Sequence, residues 1–146
     1  SATQITAVGT LATDGTYYIR IENTDGLAVR SSSAVLTISD APAWQTTAGS
    51  VGTFAGNTNG TLVTVSATGD TIVYSESTNV LTNASLANCT LNTSTGVISS
   101  TNFGGSATAA TTYSFTLVAT DAQNQTSSRN FTISSSYGAT GGGQFN

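Results

Sequence analysis

The chain has 146 residues, of which 38% are hydrophobic and only 7% are charged, and its formal net charge is −4. About a quarter of the residues in an average soluble domain are charged, so solubility here must come from hydroxyl and amide groups, supplied largely by 29 Thr and 20 Ser residues. Three Arg residues and no Lys exclude the clustered cations that bind a nucleic-acid backbone, and no apolar run is long enough for a membrane helix.

The first 39 residues predict β-strands and no helix. Within the segment 16–23, Tyr17, Ile19 and Ile21 share one face while Tyr18 lies on the other, which is the two-residue period of a half-buried strand. The expected strands are 4–8, 16–23, 27–30 and a last one with Ala34, Leu36 and Ile38 on a buried face. Three or four strands make about half of a sandwich and leave one face uncovered.

This segment resembles the closing half of an IPT/TIG-type immunoglobulin-like domain. The family pattern is G-T-Y-x-hydrophobic-x-hydrophobic-x-N-x-D-G. The residues that match it are Gly15, Thr16, Tyr17, Ile19, Ile21, Asn23, Asp25 and Gly26. The resemblance implies that the opening half of the domain precedes Ser1 in a longer chain or comes from another subunit. The absence of Met likewise leads us to expect a processed product or a piece of a longer chain.

A domain boundary is predicted at 40–42. Pro42 is the only proline, and it lacks a backbone donor and biases Ala41 towards an extended conformation. We expect Trp44 to be buried near the first strand of the module that follows. The predicted organisation is a partial immunoglobulin-like module over 1–39, a short linker over 40–42, a β-sandwich over 43–135 and a Gly-rich C-terminal tail over 136–146.

The second module contains the clearest hairpin of the sequence, between Tyr113 and Ile133. Apolar and polar residues alternate from Tyr113 to Asp121, a polar connection follows, and the alternation restarts at Phe131. Further strands are expected at 51–54, 62–67, 71–76 and 97–98, with a turn at 68–70 joining the second of these to the third. The less regular stretch 80–91 is expected to place Leu86, Cys89 and Leu91 in the core.

Two stretches of this module resemble the putative-Ig, cadherin-like family. The first is TLNTSTGVISS, which is similar to the signature L-x-L-N-x-x-T-G-x-I-S-G, and the second is YSFTLVATDAQNQTSSRNFTI, which is similar to the last two strands. Cys89 stands where the family has Leu, and Ser100 replaces a glycine. The resemblance covers about 43–135 and implies a β-sandwich of the kind found in adhesins, surface proteins and virion fibres. The order of the two modules is similar to structural and fibre proteins of tailed phages, particularly those of cyanobacteria.

The residue types present exclude most catalytic chemistry. Without His, no Ser-His-Asp or Cys-His arrangement can form within the chain, and without Lys there is neither a Schiff base nor a P-loop. Cys89 is the only cysteine, so no internal disulfide exists. Because Cys89 alternates with Leu91, we expect a small buried hydrophobe and not a reactive thiol.

Three carboxylates are candidates for one pole of the second sandwich. In an immunoglobulin-like topology, Asp40, Asp70 and Asp121 would lie at the strand entry, an inter-strand loop and the last hairpin loop. Hard oxygen ligands of this kind suit Ca²⁺, although the dense D-x-D clusters of cadherins are absent. The alternative is that Asp70 and Asp121 cap turns through Asx-type hydrogen bonds. We expect no catalytic site and no resident cofactor, with Ca²⁺ as the minor possibility.

Three aromatic residues are candidates for contacts with partners. Tyr18 is expected on the outward face of its strand, or packed on a neighbouring module. The tail over 136–146 ends in a Gly-rich stretch that needs a neighbouring subunit to hold it, with Tyr137 and Phe145 as anchors.

The resulting functional hypothesis is a non-enzymatic virion structural protein, such as a fibre, decoration or tail-associated subunit. It would act through rigid immunoglobulin-like modules, with other copies of itself or other virion proteins as partners. The alternatives are a module of a bacterial cell-surface or secreted adhesin, which would be extracellular, and a carbohydrate-binding accessory domain that contacts a host-surface glycan. Nucleic acid and a membrane span are not expected.

Overall fold

The structure is a computed structural model that describes residues 8–9, 14–105, 107 and 109–136. The described residues form strands and turns and contain no helix, which confirms the all-β fold class. The chain divides into two compact units, Ser1–Asp40 and Ala41–Asn146. Nearly all of the strand predicted at 4–8 lies outside the described residues, and so do the candidate anchors Tyr137 and Phe145.

The first unit contains a two-stranded ribbon with one wide interruption. Its strands are β1 (Gly15–Tyr17), β2 (Arg20–Glu22), β3 (Ala28–Arg30) and β4 (Leu36–Ile38). β1 pairs with β4 and β2 pairs with β3, both antiparallel. The single strand predicted at 16–23 is therefore broken, because residues 31–35 on one side of the ribbon stand opposite only Tyr18 and Ile19 on the other.

The ribbon has no second layer among the described residues of its unit. The prediction that Ala34, Leu36 and Ile38 form a buried face is wrong for the first two, which are exposed, while Ile38 is half-buried. A two-stranded ribbon has no second sheet packed on its face, so its apolar side chains remain in contact with water. The sequence pattern correctly predicts which residues share a face but not that this face is covered.

The second unit is a sandwich of two sheets with a short extra pair. Its strands are β5 (Ala43–Trp44), β6 (Gly49–Phe54), β7 (Gly60–Thr64), β8 (Ala67–Thr68), β9 (Val73–Glu76), β10 (Cys89–Leu91), β11 (Val97–Ser100), β12 (Thr111–Thr120) and β13 (Thr126–Ser135). The three-stranded sheet has the order β10-β11-β7, the four-stranded sheet has the order β6-β13-β12-β9, and β5 pairs with β8. β6 runs parallel to β13, and the other ladders are antiparallel.

The β12–β13 hairpin confirms the strongest prediction from the sequence. The two strands pair along their whole length, with Tyr113 opposite Ile133 and Phe115 opposite Phe131. The apolar residues of both strands except Val118 point into the core, and most of their polar neighbours point outward, as the two-residue period requires. Each buried aromatic or aliphatic side chain of this kind stabilises the fold by about 1.5–3 kcal/mol.

Aromatic rings form the centre of the core around Trp44, which is buried as predicted. Its ring lies 5.7 Å from Tyr74 and 5.4 Å from Phe131, the latter edge to face. Such pairs add about 0.5–1.5 kcal/mol to the burial of the rings. The indole Nε1–H donates a 3.1 Å hydrogen bond to the carbonyl of Ser127, so the polar atom of the buried ring is satisfied.

Two predictions for the second unit are wrong in detail. The single strand predicted at 62–67 is interrupted, because β7 ends at Thr64 and β8 begins at Ala67, and the turn that follows leads to β9 in a different sheet from β7. The chain breaks its pairing at Val65, whose N–H donates to Gly96, and crosses from one layer to the other. Leu86 is exposed, and Leu81 takes the expected core place because the irregular stretch folds inward there.

Candidate functional site

The hairpin loop at the end of β12 is organised by the side chain of Asp121. Its Oδ1 accepts hydrogen bonds from the backbone N–H groups of Gln123 at 2.9 Å and Gln125 at 2.8 Å. Its Oδ2 accepts one from Nε2 of Gln125 at 3.2 Å. Asp121 is only 4% exposed. Asn124 takes the left-handed conformation, with φ 62°, which a short polar side chain tolerates.

Asp70 lies beside this loop at the same pole of the sandwich. Its backbone carbonyl accepts from the N–H of Ala122 at 2.9 Å, and its carboxylate accepts from Nε2 of Gln123 at 3.2 Å. The remaining carboxylate oxygen accepts from the hydroxyl of Thr71 at 3.0 Å. Of the three predicted carboxylates, the structure brings Asp70 and Asp121 to one pole, whereas Asp40 ends the first unit.

This arrangement does not fit a Ca²⁺ site built from the described residues. No group of three or more His, Cys, Asp or Glu side chains converges in that part of the chain. The carboxylate of Asp121 is buried and accepts hydrogen bonds on both oxygens from its own loop, so it has little capacity left for a metal. Asp121 instead caps its own turn through Asx-type hydrogen bonds, which is the alternative that the sequence suggested.

A second carboxylate, Glu76 at the end of β9, organises the loop that follows it. Its Oε1 accepts from the N–H groups of Val80 at 2.7 Å and Leu81 at 2.9 Å and from the hydroxyl of Thr78 at 2.8 Å. Its Oε2 accepts from the N–H and the hydroxyl of Thr82, at 3.0 and 2.9 Å. The sequence analysis missed this residue. A local signal was present, because Glu76 is the only acid in the sequence that two hydroxyl residues, Ser77 and Thr78, follow directly.

The environment of Glu76 changes the acidity of two groups. Partial burial raises the pKa of its carboxyl group, but the hydrogen bonds from Leu81, Val80, Thr82 and Thr78 outweigh that effect and leave the pKa below its ordinary value. Burial, and secondly the negative charge of Glu76, raise the pKa of the Cys89 thiol to about 12. Cys89 is therefore an unreactive core residue.

The aromatic candidates differ in their accessibility. Tyr18 is 42% exposed, and the guanidinium of Arg30 lies 3.8 Å from the centre of its ring. That cation covers one ring face and contributes about 0.5–1 kcal/mol at an exposed site. Trp44 is buried, so it offers no stacking platform to a glycan.

The outer face of the four-stranded sheet is uncharged and rich in hydroxyl groups. A shallow concavity of about 470 Å³ there is lined by Ala48, Gly49, Thr78, Ser114, Phe115, Thr116, Asn130, Phe131 and Thr132. The hydroxyl of Thr116 donates to Asn130 at 2.8 Å, so neighbouring polar groups partly satisfy one another. Both Phe rings are buried and point into the core. The face can form hydrogen bonds but has no exposed ring for sugar stacking.

Comparison with known proteins identifies the fold. No protein-family profile and no curated protein sequence matches the chain. Extracellular cadherin domains 3–6 of protocadherin gamma B2 share 21% identity with it at a TM-score of 0.51, over 63% of this chain and 21% of that one. Domains 1–2 of human protocadherin-24 share 16% identity with it at a TM-score of 0.51, and the match covers 66% of this chain and 43% of that one. The protocadherin gamma B4 extracellular domain shares 18% identity with it at a TM-score of 0.51, and the match covers 82% of this chain and 22% of that one.

The match covers less than half the length of each of these cadherin chains. At such low identity the likeness concerns the fold alone. It confirms an all-β, immunoglobulin-like sandwich of the cadherin-like type, as the motifs in the second module predicted. The IPT/TIG resemblance of the first unit and the virion context stay predictions.

Proposed function

We propose that this chain is a non-enzymatic structural subunit of a virion, acting as a fibre, decoration or tail-associated component. Its work would be mechanical: rigid immunoglobulin-like modules transmit load and position neighbouring subunits. The observation that carries the proposal is that the polar groups of the second unit form hydrogen bonds within the fold. Among the described residues, every buried side-chain nitrogen or oxygen has a hydrogen-bond partner, and the carboxylates in the second unit brace loops.

An enzyme needs polar groups that are held ready for a substrate, and the described part of the second unit offers little of this kind. Its carboxylates accept hydrogen bonds from their own loops, and the thiol of Cys89 is protonated and buried. The only arginine of this unit, Arg129, donates to the carbonyl of Thr46 at 2.7 Å. A scaffold role makes use of these features, because each of them stiffens the sandwich.

The choice of partners follows from the surface. With only 7% charged residues, copies of this chain repel one another weakly, which favours dense packing in an assembly. Other copies of the chain and other virion proteins are the proposed partners, and Tyr18 is the candidate contact among the described residues. The described residues include no helix that is long and apolar enough to span a membrane.

A second candidate is an adhesin module on a bacterial surface or in a secreted protein. The fold likeness favours it, because the similar structures are extracellular domains of cadherins. In this case the module would space or present an adhesive tip outside the cell. A glycan-binding accessory role is the weakest of the three, because Trp44 is buried and the hydroxyl-rich face has no exposed ring.

Imaging of the source particle separates these proposals. Virions purified from the source would be labelled with gold-conjugated antibodies raised against the second unit, and then reconstructed by cryo-electron microscopy. The virion proposal expects label and density at many symmetry-related positions. If the chain is instead found on host cells or in the secreted fraction, and purified particles carry no label, the virion role is wrong and the adhesin role gains support.

A further inference from the structure

Asn59 stands immediately before β7 and is followed by Gly60, which makes the only Asn-Gly pair of the sequence. Both residues are exposed, and a Cβ added at Gly60 would meet nothing within 4 Å. Glycine allows close approach to its backbone because it has no side chain. The backbone nitrogen of Gly60 is therefore not shielded by a side chain of its own from the amide group of Asn59.

The amide group of Asn59 is also free to turn towards that nitrogen. Within the described part of the chain, no residue forms a hydrogen bond with the Asn59 side chain. Other asparagines of the chain are held in place. The amide oxygens of Asn23, Asn83 and Asn92 accept hydrogen bonds from backbone N–H groups of their own turns, and that of Asn130 accepts one from a neighbouring hydroxyl group.

Two further exposed asparagines differ from Asn59 in the backbone nitrogen that follows them. The N–H group after Asn79 donates to the carboxylate of Glu76 at 2.7 Å, and the one after Asn124 donates to the carboxylate of Asp121 at 2.8 Å. A hydrogen bond to a charged acceptor is among the stronger ones, so it keeps the proton on the nitrogen and opposes any attack by it. Neither residue is followed by glycine.

We infer that Asn59 is a site of spontaneous deamidation in the folded protein. The backbone nitrogen of Gly60 attacks Cγ of Asn59 and loses its proton to water or hydroxide. The N–Cγ bond forms, the Cγ–Nδ2 bond breaks, and Nδ2 takes up a proton and leaves as ammonia. Proximity makes this step intramolecular, which favours it greatly over attack from solution. Water then opens the succinimide ring, at Cγ to give an aspartyl residue or at the main-chain carbonyl carbon to give an isoaspartyl residue.

The two products affect the sandwich differently. Backbone hydrogen bonds of 3.0 and 3.1 Å tie Asn57 and Thr58 to Phe103, and Gly60 is the first residue of β7, which pairs with β11. Asn59 is thus the single residue between two anchored points. An isoaspartyl link carries the main chain through Cβ and Cγ and lengthens it by about 1.5 Å, the length of one carbon–carbon bond. We expect this link to strain the start of β7, whereas an aspartyl residue adds only an exposed negative charge.

The test uses the natural chain and does not depend on the virion role. Folded protein kept for several weeks at about pH 8 would be digested with chymotrypsin, with a zero-time sample to correct for modification during digestion. Cleavage after Phe54 and Leu62 releases the peptide 55–62, which contains both Asn57 and Asn59. Tandem mass spectrometry then locates the small mass gain of deamidation. We expect modification of Asn59 to be about tenfold faster than that of Asn57, and slower at about pH 6 than at about pH 8, because the attacking nitrogen must lose its proton.

Asn57 is the matched control, because it lies in the same peptide but is followed by Thr58. Equal rates at Asn57 and Asn59 would overturn the proposal. It would also be overturned if Asn59 were modified in urea while the folded chain stayed intact over the same period, since the fold would then protect the site. Asn59→Asp supplies the aspartyl product and should unfold in urea within about 0.3 M of the natural chain. Purified isoaspartyl protein should unfold at least about 0.5 M earlier, and an unchanged midpoint would refute the strain at β7.

Discussion

Replacing Glu76 with Gln tests whether one carboxylate holds the loop after β9 in place. The loop donates five hydrogen bonds to it: three from the backbone N–H groups of Val80, Leu81 and Thr82, and two from hydroxyl groups. Leu81 is fully buried, so the loop also carries part of the core. The Gln side chain has nearly the same shape, which limits the change to charge and to one oxygen.

The magnitude follows from the bonds that the amide cannot accept. Its oxygen can still face Val80 and Leu81, but its NH₂ group then meets the N–H of Thr82, which loses its acceptor. A hydrogen bond to a charged group contributes about 1.5–3 kcal/mol, and the loss of one together with weaker bonds at the other oxygen gives about 2 kcal/mol after allowance for solvent screening. At a urea m-value of roughly 1.3 kcal/mol/M, the unfolding midpoint should fall by about 1.5 M.

The pH dependence of stability gives an independent check. The folded state lowers the pKa of Glu76 below its ordinary value of 4.5, so the stabilisation is fully present above that value. It is lost as the pH falls through the lower pKa of the folded state. The difference in unfolding free energy between the natural protein and Glu76→Gln should therefore be largest near neutral pH and should shrink on acidification.

Urea unfolding followed by Trp44 fluorescence is the assay, since the indole is buried in the same unit. Asp70→Asn is the matched control. Its exposed carboxylate accepts hydrogen bonds from the side chains of Thr71 and Gln123 only, so we expect a loss of less than about 0.5 kcal/mol. Equal midpoints for Glu76→Gln and the natural protein, or a difference that does not change with pH, would refute the reasoning.

Three further predictions concern the same sandwich. Gly96→Ala should destabilise it by more than about 3 kcal/mol in urea unfolding, because φ is +69° and the added Cβ would lie 2.2 Å from the carbonyl oxygen of Val65. Gly60→Ala is strained by its backbone alone, with φ +108° and nothing within 4 Å of the added Cβ, so it should cost less, and equal losses would contradict the steric part of this explanation. The pKa of the Cys89 thiol is raised to about 12, so the thiol should resist a thiol reagent at about pH 8 in the folded protein and react fully in urea. Rapid labelling of the folded protein would show instead that the core opens. Chelation with EDTA should leave the melting temperature, measured by calorimetry, unchanged within about 1 °C, because no described set of carboxylates converges on a metal. A fall of several degrees in the melting temperature would restore the Ca²⁺ hypothesis.

The candidate pole of the second unit could be predicted only in part. The sequence indicated that Asp121 ends a strand and suggested a turn-capping role, because Asp before a polar connection is a local signal. Its pairing with the loop of Asp70 depends on the packing of loops that are far apart in the chain. Glu76, which accepts five hydrogen bonds, carried only a weak local signal, the two hydroxyl residues that follow it. Three of its five donors are backbone N–H groups, which every residue except proline possesses.

The sequence by itself determined the fold class, the hairpin of β12 and β13, and which residues share a strand face. These depend on the two-residue period, which is a property of neighbouring residues. Only the tertiary structure decided that β7 and β9 lie in different sheets, that Leu81 is buried and Leu86 exposed, and that no described residue covers Leu36 in the first unit. Burial depends on what packs above a face, and alternation along a strand predicts the face but not the layer that covers it.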